Sequence, residues 1–163
     1  PCRRKGKSRM PVAIMAMGIV FNLLNGMMQA GGLFYFAPEG LYADGWAYLL
    51  KPHALLGIIL FFAGMFVNLH SDYVIRHLRR PGDTKHYLPG KGLYRYVTSA
   101  NYFGELVEWT GFAILTASPA AWVFVWWTFA NLVPRADAIH HRYREEFGDE
   151  AVGKRKRIIP FLY

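Results

Sequence analysis

Residues 101–133 read NYFGELVEWTGFAILTASPAAWVFVWWTFANLV. Apart from two carboxylates the stretch is apolar enough to enter a bilayer, and its Ser118–Pro119 step reads as a tight turn between two helices. A charge at the centre of a membrane helix costs about 2.5–3.5 kcal/mol on insertion scales, so Glu105 and Glu108 need compensation. Asn101, Glu105 and Glu108 stand at i, i+4 and i+7 and therefore share one helical face. Such a face belongs inside a helix bundle, against a cation, a protein donor or a bound ligand. Tyr102, Gly104 and Trp109 surround it.

Working outward, four segments are predicted as membrane helices, at about 10–28, 48–69, 96–117 and 119–133. A span needs about 20 mostly apolar residues to cross roughly 30 Å of hydrocarbon, and the last segment is short on that measure. Runs such as ALLGIILFFAGMFV and AWVFVWW are apolar all round, whereas a soluble bundle would show stripes. The expected fold class is all-α: one membrane domain over 1–163, a polytopic bundle with four helices in this chain.

The chain has 163 residues and a formal charge of +8, with 53% hydrophobic and 17% aromatic residues. Its basic residues fall in three blocks: Arg3 to Arg9, Arg76 to Arg95, and Arg135 to Arg157; only Lys51 lies elsewhere. With four crossings the three blocks share one side, which the positive-inside rule makes the cytoplasm of a multi-pass protein. The opposite loop, FAPEGLYADGWAY, offers Tyr42, Trp46 and Tyr48 to an interfacial aromatic belt. Basic loops flanking a membrane account for the charge, and no nucleic-acid motif accompanies it. Cys2 is the single cysteine, which excludes an intrachain disulfide framework and a multi-cysteine metal site. His140 and His141 diverge on a helix and no H-E-x-x-H is present, so no metal is expected. No obligate protein partner is evident.

Two further polar arrays stand out. Asn22, Asn25 and Gln29 share a face of the first span, which suits either interhelical hydrogen bonds or a cavity wall. Asn68, Asp72, Arg76 and Arg79 recur at helical spacing before Pro81–Gly82, which is expected to stop the helix. That array leads from membrane interior to cytoplasmic surface. It suits an elongated anionic ligand with phosphates near Arg76, Arg79 and Arg80, or else ordinary solvated charge.

The blocks NLHSDYVIRHLRRPG, LPGKGLYRYVTSANYFGELVEW, RADAIHHRYREEF and KRKRIIPFLY resemble, in order and separation, successive blocks of the steroid 5α-reductases. The resemblance covers essentially the whole chain. It implies a seven-helix membrane reductase of the bacterial inner membrane or endoplasmic reticulum that uses NADPH. Hydride goes to C5 of a 3-oxo-Δ4 steroid or steroid-like lipid, and a proton goes to C4. Matched by position, the cofactor contacts would be Asn68, Asp72, Arg79, Asn101, Glu105, Tyr143 and Arg155. The family's ligand histidine falls on Ile139, and His140 is expected to substitute for it. The family's Tyr-Arg or Tyr-Lys pair reads here as His86–Tyr87. About three family helices, including the tyrosine that polarises the enone, would precede Pro1. The catalytic residues are therefore expected upstream, and the chain as the C-terminal part of a longer protein.

Related chemistries are trans-2-enoyl-CoA or polyprenol reduction. Outside the class stand an isoprenylcysteine-type methyltransferase and a non-catalytic lipid-binding subunit.

Overall fold

The computed structural model describes residues 11–79, 83 and 85–163. The basic block Arg3 to Arg9, Cys2, the start of the first predicted span, Arg80 and Pro81–Gly82 lie outside them.

Five α-helices carry the described chain: α1 (Val12–Ala30), α2 (Pro52–Arg76), α3 (Ala100–Thr116), α4 (Pro119–Phe147) and α5 (Asp149–Val152). Helix α1 continues through a π-helical turn to Tyr35. Among the described residues there is no β-strand, only an isolated parallel bridge between Val97 and Lys156.

Local chemistry sets several boundaries. Pro52 and Pro119 occupy the first turns of α2 and α4, where the missing N–H deprives no intrahelical carbonyl. The expected turn between α3 and α4 is made by Ala117 in the left-handed region (φ 49°) followed by Ser118 in extended conformation. Helix α2 ends at Arg76, earlier than the helical reading of Arg79 required. His77 stops it, with its backbone N–H and its ring Nδ1 both directed at the Tyr73 carbonyl. Arg79 therefore stands beyond the helix. Conversely, α4 runs past residue 133, through the exposed Pro134, to Phe147.

Among the described residues two stretches are long and apolar enough to cross a membrane, Val12–Tyr35 and Pro52–Arg76. Helix α3 is not among them. Its 17 residues rise about 25 Å, short of the roughly 30 Å of a hydrocarbon core. The outward faces of α1 and α2 display Met15, Ile19, Leu23, Leu55, Ile59, Phe62 and Phe66. They are surfaces fit for hydrocarbon rather than water.

Helices α2 and α3 pack antiparallel with their backbones almost touching. Gly57 and Gly64 on α2 face Gly111 and Gly104 on α3, each pair one heptad from the next. A β-carbon on Gly57 would lie 2.7 Å from Leu115 Cα, and one on Gly104 would lie 2.5 Å from the Asn68 nitrogen. Small residues permit this approach, which in lipid is favoured by dispersion contacts. Helix α4 then covers α3 through Trp109 against Phe124 and Leu106 against Leu132. Helix α1 meets α4 through Phe21 on Trp127 and Gln29 Nε2 donating to the Ala120 carbonyl at 3.2 Å. Asn22 is not part of that contact; it is exposed and bonds back to Gly18 of its own helix.

Candidate functional site

The polar residues gather at one end of the bundle, where the C-terminus of α2, the N-terminus of α3 and the extension of α4 meet. The chain reaches this place through a tight fold-back. Gly92, at φ +61°, passes so close to His70 that a β-carbon would lie 2.7 Å from its ring Cε1. Tyr94 then turns inward and is buried among Val74, Val97, Ala100 and Leu93. Its hydroxyl donates to Asn101 Oδ1 at 3.4 Å, leaving the Asn101 amide N–H groups as donors.

Tyr143 of α4 faces the same region and has Tyr102 and Arg79 in electrostatic reach; Asp72 and Tyr143 in turn act on Tyr94. Burial pushes both phenols above their ordinary range, with Tyr143 adding to the effect on Tyr94 and Glu146 to that on Tyr143. Both are neutral hydrogen-bonding groups at physiological pH. Glu105, half-buried one turn into α3, lies within reach of Arg135, Asp72 and the Trp109 indole. Glu108 follows on the same helix, its backbone pressed against Gly64. Asn68 is half-buried opposite Gly104. Asp72 holds Arg76 at 3.3 Å in an exposed i,i+4 pair.

The structure thus draws Asp72, Arg79, Asn101 and Tyr143 into one neighbourhood, with Asn68 and Glu105 one turn deeper. His140 and Arg155 stand apart from it. His140 is buried, its Nδ1 3.3 Å from Thr98 Oγ1. The Thr98 hydroxyl has one proton and two tail carbonyls to receive it, so its oxygen accepts from His140 Nδ1–H. Burial and the Arg157 guanidinium hold the His140 imidazole below its usual range. Arg155 donates to the Pro89 carbonyl at 2.9 Å, tying the tail to the fold-back. His86 meets Glu146 at 2.5 Å, and Tyr87 donates to Asp83 at 2.7 Å; both are exposed.

The tail clasps the fold-back to α4. Thr98 N–H donates to Lys156, Lys156 N–H to Tyr96, and Ser99 N–H to Arg157. Arg157 also pairs with Asp137 of α4, and Ile158 is fully buried beside Leu106 and Leu132. Sequence spacing alone did not single out Tyr94 or Thr98. Tyr94 lies in a short 3₁₀ turn (Gly92–Arg95) and Thr98 outside any helix, too brief a setting for periodicity to mark an inward-facing residue.

With two described stretches fit to cross a membrane, one of them, α2, ending at a cluster of polar residues, the chain has the make-up of a helical membrane protein. The sequence profile described as 3-oxo-5-alpha-steroid 4-dehydrogenase matches residues 8–163. The 3-oxo-5-alpha-steroid 4-dehydrogenase 1 of Macaca fascicularis is 41% identical over 163 residues, covering 100% of this chain and 60% of the relative. The 3-oxo-5-alpha-steroid 4-dehydrogenase 2 of the same species is 39% identical over 153 residues, covering 94% of this chain and 58% of the relative. Steroid 5-alpha-reductase DET2 of Arabidopsis thaliana is 36% identical over 162 residues, covering 97% and 59%. The chain belongs to the 3-oxo-5-alpha-steroid 4-dehydrogenase family, and it spans about 60% of the length of these relatives.

Proposed function

We propose that this chain forms the cofactor-holding part of a membrane enzyme that reduces the 4,5 double bond of 3-oxo-Δ4 steroids or steroid-like lipids. The observation that carries the reading is the convergence of Asp72, Arg79, Asn101 and Tyr143 on one end of the bundle in a chain of this family.

The donor set fits NADPH by its chemistry. Arg79 offers a planar guanidinium group suited to phosphates, and Arg155, standing apart and tied by one nitrogen to the Pro89 carbonyl, would reach them only with its remaining N–H donors. Asp72 and Glu105 offer carboxylate acceptors to ribose hydroxyls, and Asn68 and Asn101 offer amides. Tyr94 fixes the Asn101 side chain with its oxygen inward, so that N–H donors are presented to a carboxamide or sugar. Tyr143 supplies a neutral phenol, and His140 holds the tail that carries Arg155. Bound there, NADPH would supply the hydride that C5 receives, while C4 gains a proton. This chain's own residues would bind, orient and exclude water, with the glycine seam of α2 and α3 closed backbone to backbone at Gly64 and Glu108. Polarisation of the 3-oxo group is assigned to residues of the whole protein outside this chain.

In the same reading α3 and α4 also cross the bilayer, completing four spans of a seven-helix bundle, and the basic blocks lie in the cytoplasm. Lys51, the basic residue on the far side, is neutralised by Asp44 at 2.7 Å. Cysteines at Glu39 and Lys154, labelled with an impermeant reagent, test this; labelling from one and the same side would overturn the span count.

The full-length protein, reconstituted and given NADPH with progesterone or testosterone, is expected to yield a product two hydrogens heavier by mass detection. Reduction of a linear enoyl lipid with no turnover of either steroid would reassign the substrate. Methyl transfer from S-adenosylmethionine would replace the reading.

A further inference from the structure

Beside the clasp lies a cleft of about 550 Å³, between Arg95–Tyr96 and the segment after α5. Arg95, Lys154 and Lys156 line it with Tyr96 and Phe161, and no carboxylate does. Arg155 also borders it, but that guanidinium is held by the Pro89 carbonyl.

Its level in the fold is set by the tail. Ile158 and Ile159 pack on Tyr102, Phe103, Leu106, Leu132 and Ala136, the first turns of α3 and the place where the apolar part of α4 gives way to Arg135. Phe161 and Leu162 nevertheless stay 78% and 74% exposed. Phe161 adopts φ 65°, a left-handed conformation unfavourable for a bulky side chain, and lays its ring 5.2 Å from that of Tyr96. Strain at an outlying residue is retained where the surroundings fix it and often serves a function. Here it holds an exposed aromatic pair beside three cations.

We propose that this cleft is a binding site for an anionic phospholipid of the adjoining leaflet. Arg95, Lys154 and Lys156 would meet the headgroup phosphate, while Tyr96, Phe161 and Leu162 would lie along the glycerol and first acyl carbons. Charge complementarity selects the anionic class, and the apolar rim selects a lipid over a free anion. The inference rests on the reading of α3 and α4 as spans but not on the cofactor assignment.

The test uses full-length protein and native mass spectrometry after exposure to phosphatidylglycerol or phosphatidylcholine. The wild type is expected to retain phosphatidylglycerol at least about fivefold over phosphatidylcholine, the ratio one basic side chain near an anionic surface supplies. Combined Arg95→Gln, Lys154→Gln and Lys156→Gln should abolish the excess. The control Lys85→Gln, Lys91→Gln and Arg142→Gln, on exposed basic residues away from the cleft, should keep it. Circular dichroism and thermal midpoint establish that both variants fold, and Phe161→Ala gives a second variant, expected to weaken retention. Equal retention of the two lipids, equal loss in the two triple variants, or displacement of the lipid by inorganic phosphate or by NADPH would overturn the proposal. Impermeant labelling of Glu39→Cys and Lys154→Cys separates the premises. Labelling from one and the same side removes the span reading and the lipid site together, whereas labelling from opposite sides without lipid preference removes the site alone.

Discussion

The backbone of Glu108 occupies the space that a side chain on Gly64 would need: a β-carbon there would lie 2.7 Å from Glu108 Cα and 2.7 Å from the Gly104 carbonyl oxygen. Both obstacles are backbone, so no rotamer change relieves them. Gly64→Ala is expected to force α2 and α3 apart and to destabilise the protein by about 1–3 kcal/mol, the usual range for overpacking. Gly18→Ala, on the open face of α1 with nothing within 4 Å, should be neutral or stabilising by up to about 1 kcal/mol. Thermal unfolding in one detergent compares them. Equal midpoints for the two variants would mean that the glycine seam is not under steric constraint.

The far end of α3 is capped by tyrosines. Tyr48 Oη donates to the Leu115 carbonyl at 2.8 Å and Tyr42 Oη to the Thr116 carbonyl at 2.5 Å, satisfying acceptors that the last helical turn leaves open. Tyr48 is buried at 4% exposure, and His53 Nε2 lies 3.2 Å from its hydroxyl. Tyr48→Phe strands that carbonyl and should cost about 1–3 kcal/mol in thermal unfolding. Trp46→Phe, on an 87% exposed neighbour, should stay within about 0.5 kcal/mol of wild type. A stable Tyr48→Phe would show that water replaces the phenol.

These two ends show what the sequence reveals and what it hides. The carboxylates of α3 are legible because a charge in an apolar run is costly wherever the helix packs. The Ser118–Pro119 turn is legible because proline restricts the backbone locally. The register of α2 on α3 is fixed by which glycines face each other, a relation between segments that neither segment carries alone. Tyr48 reads as a belt residue because its composition suits an interface. Its burial becomes apparent only when the end of α3 is placed above it. Likewise the spacing that groups Arg79 with Asn68 and Asp72 assumes a helix that His77 ends first. The pairing of tail and fold-back at Val97 and Lys156 joins residues 59 apart with no periodic signal.

His140 gives the fold a dependence on pH. Burial, followed by the Arg157, Arg144 and His141 charges, holds its imidazole below the usual range, against the opposing pull of Asp137. In the unfolded chain the ring takes up a proton at about pH 6.5, and the folded ring takes it up only at lower pH. Between those two values the unfolded state binds more protons, so stability falls as pH drops below about 6.5. His140→Gln should flatten this dependence in melts at pH 7.5 and 5.5 while keeping a donor for Thr98. An undiminished pH slope in that variant would assign the effect to other groups.

The bond from Tyr94 to Asn101 tests whether the polar cluster holds NADPH. Tyr94→Phe keeps the ring that packs on Val74 and Val97 and removes only the donor that sets the Asn101 amide. A net hydrogen bond is worth about 0.5–1.5 kcal/mol, so the NADPH dissociation constant of the full-length protein should rise about two- to tenfold. Arg79→Ala removes a charged partner and should raise it about ten- to hundredfold, from a loss of about 1.5–3 kcal/mol. Fluorescence titration of NADPH reads both, with circular dichroism to confirm folding. The ordering carries the argument: an amide positioned by Tyr94 gives a small loss and a phosphate-binding guanidinium a large one. Unchanged affinity in folded Arg79→Ala removes Arg79 from the phosphate site. Unchanged affinity in Tyr94→Phe leaves Asn101 positioned by something other than the phenol.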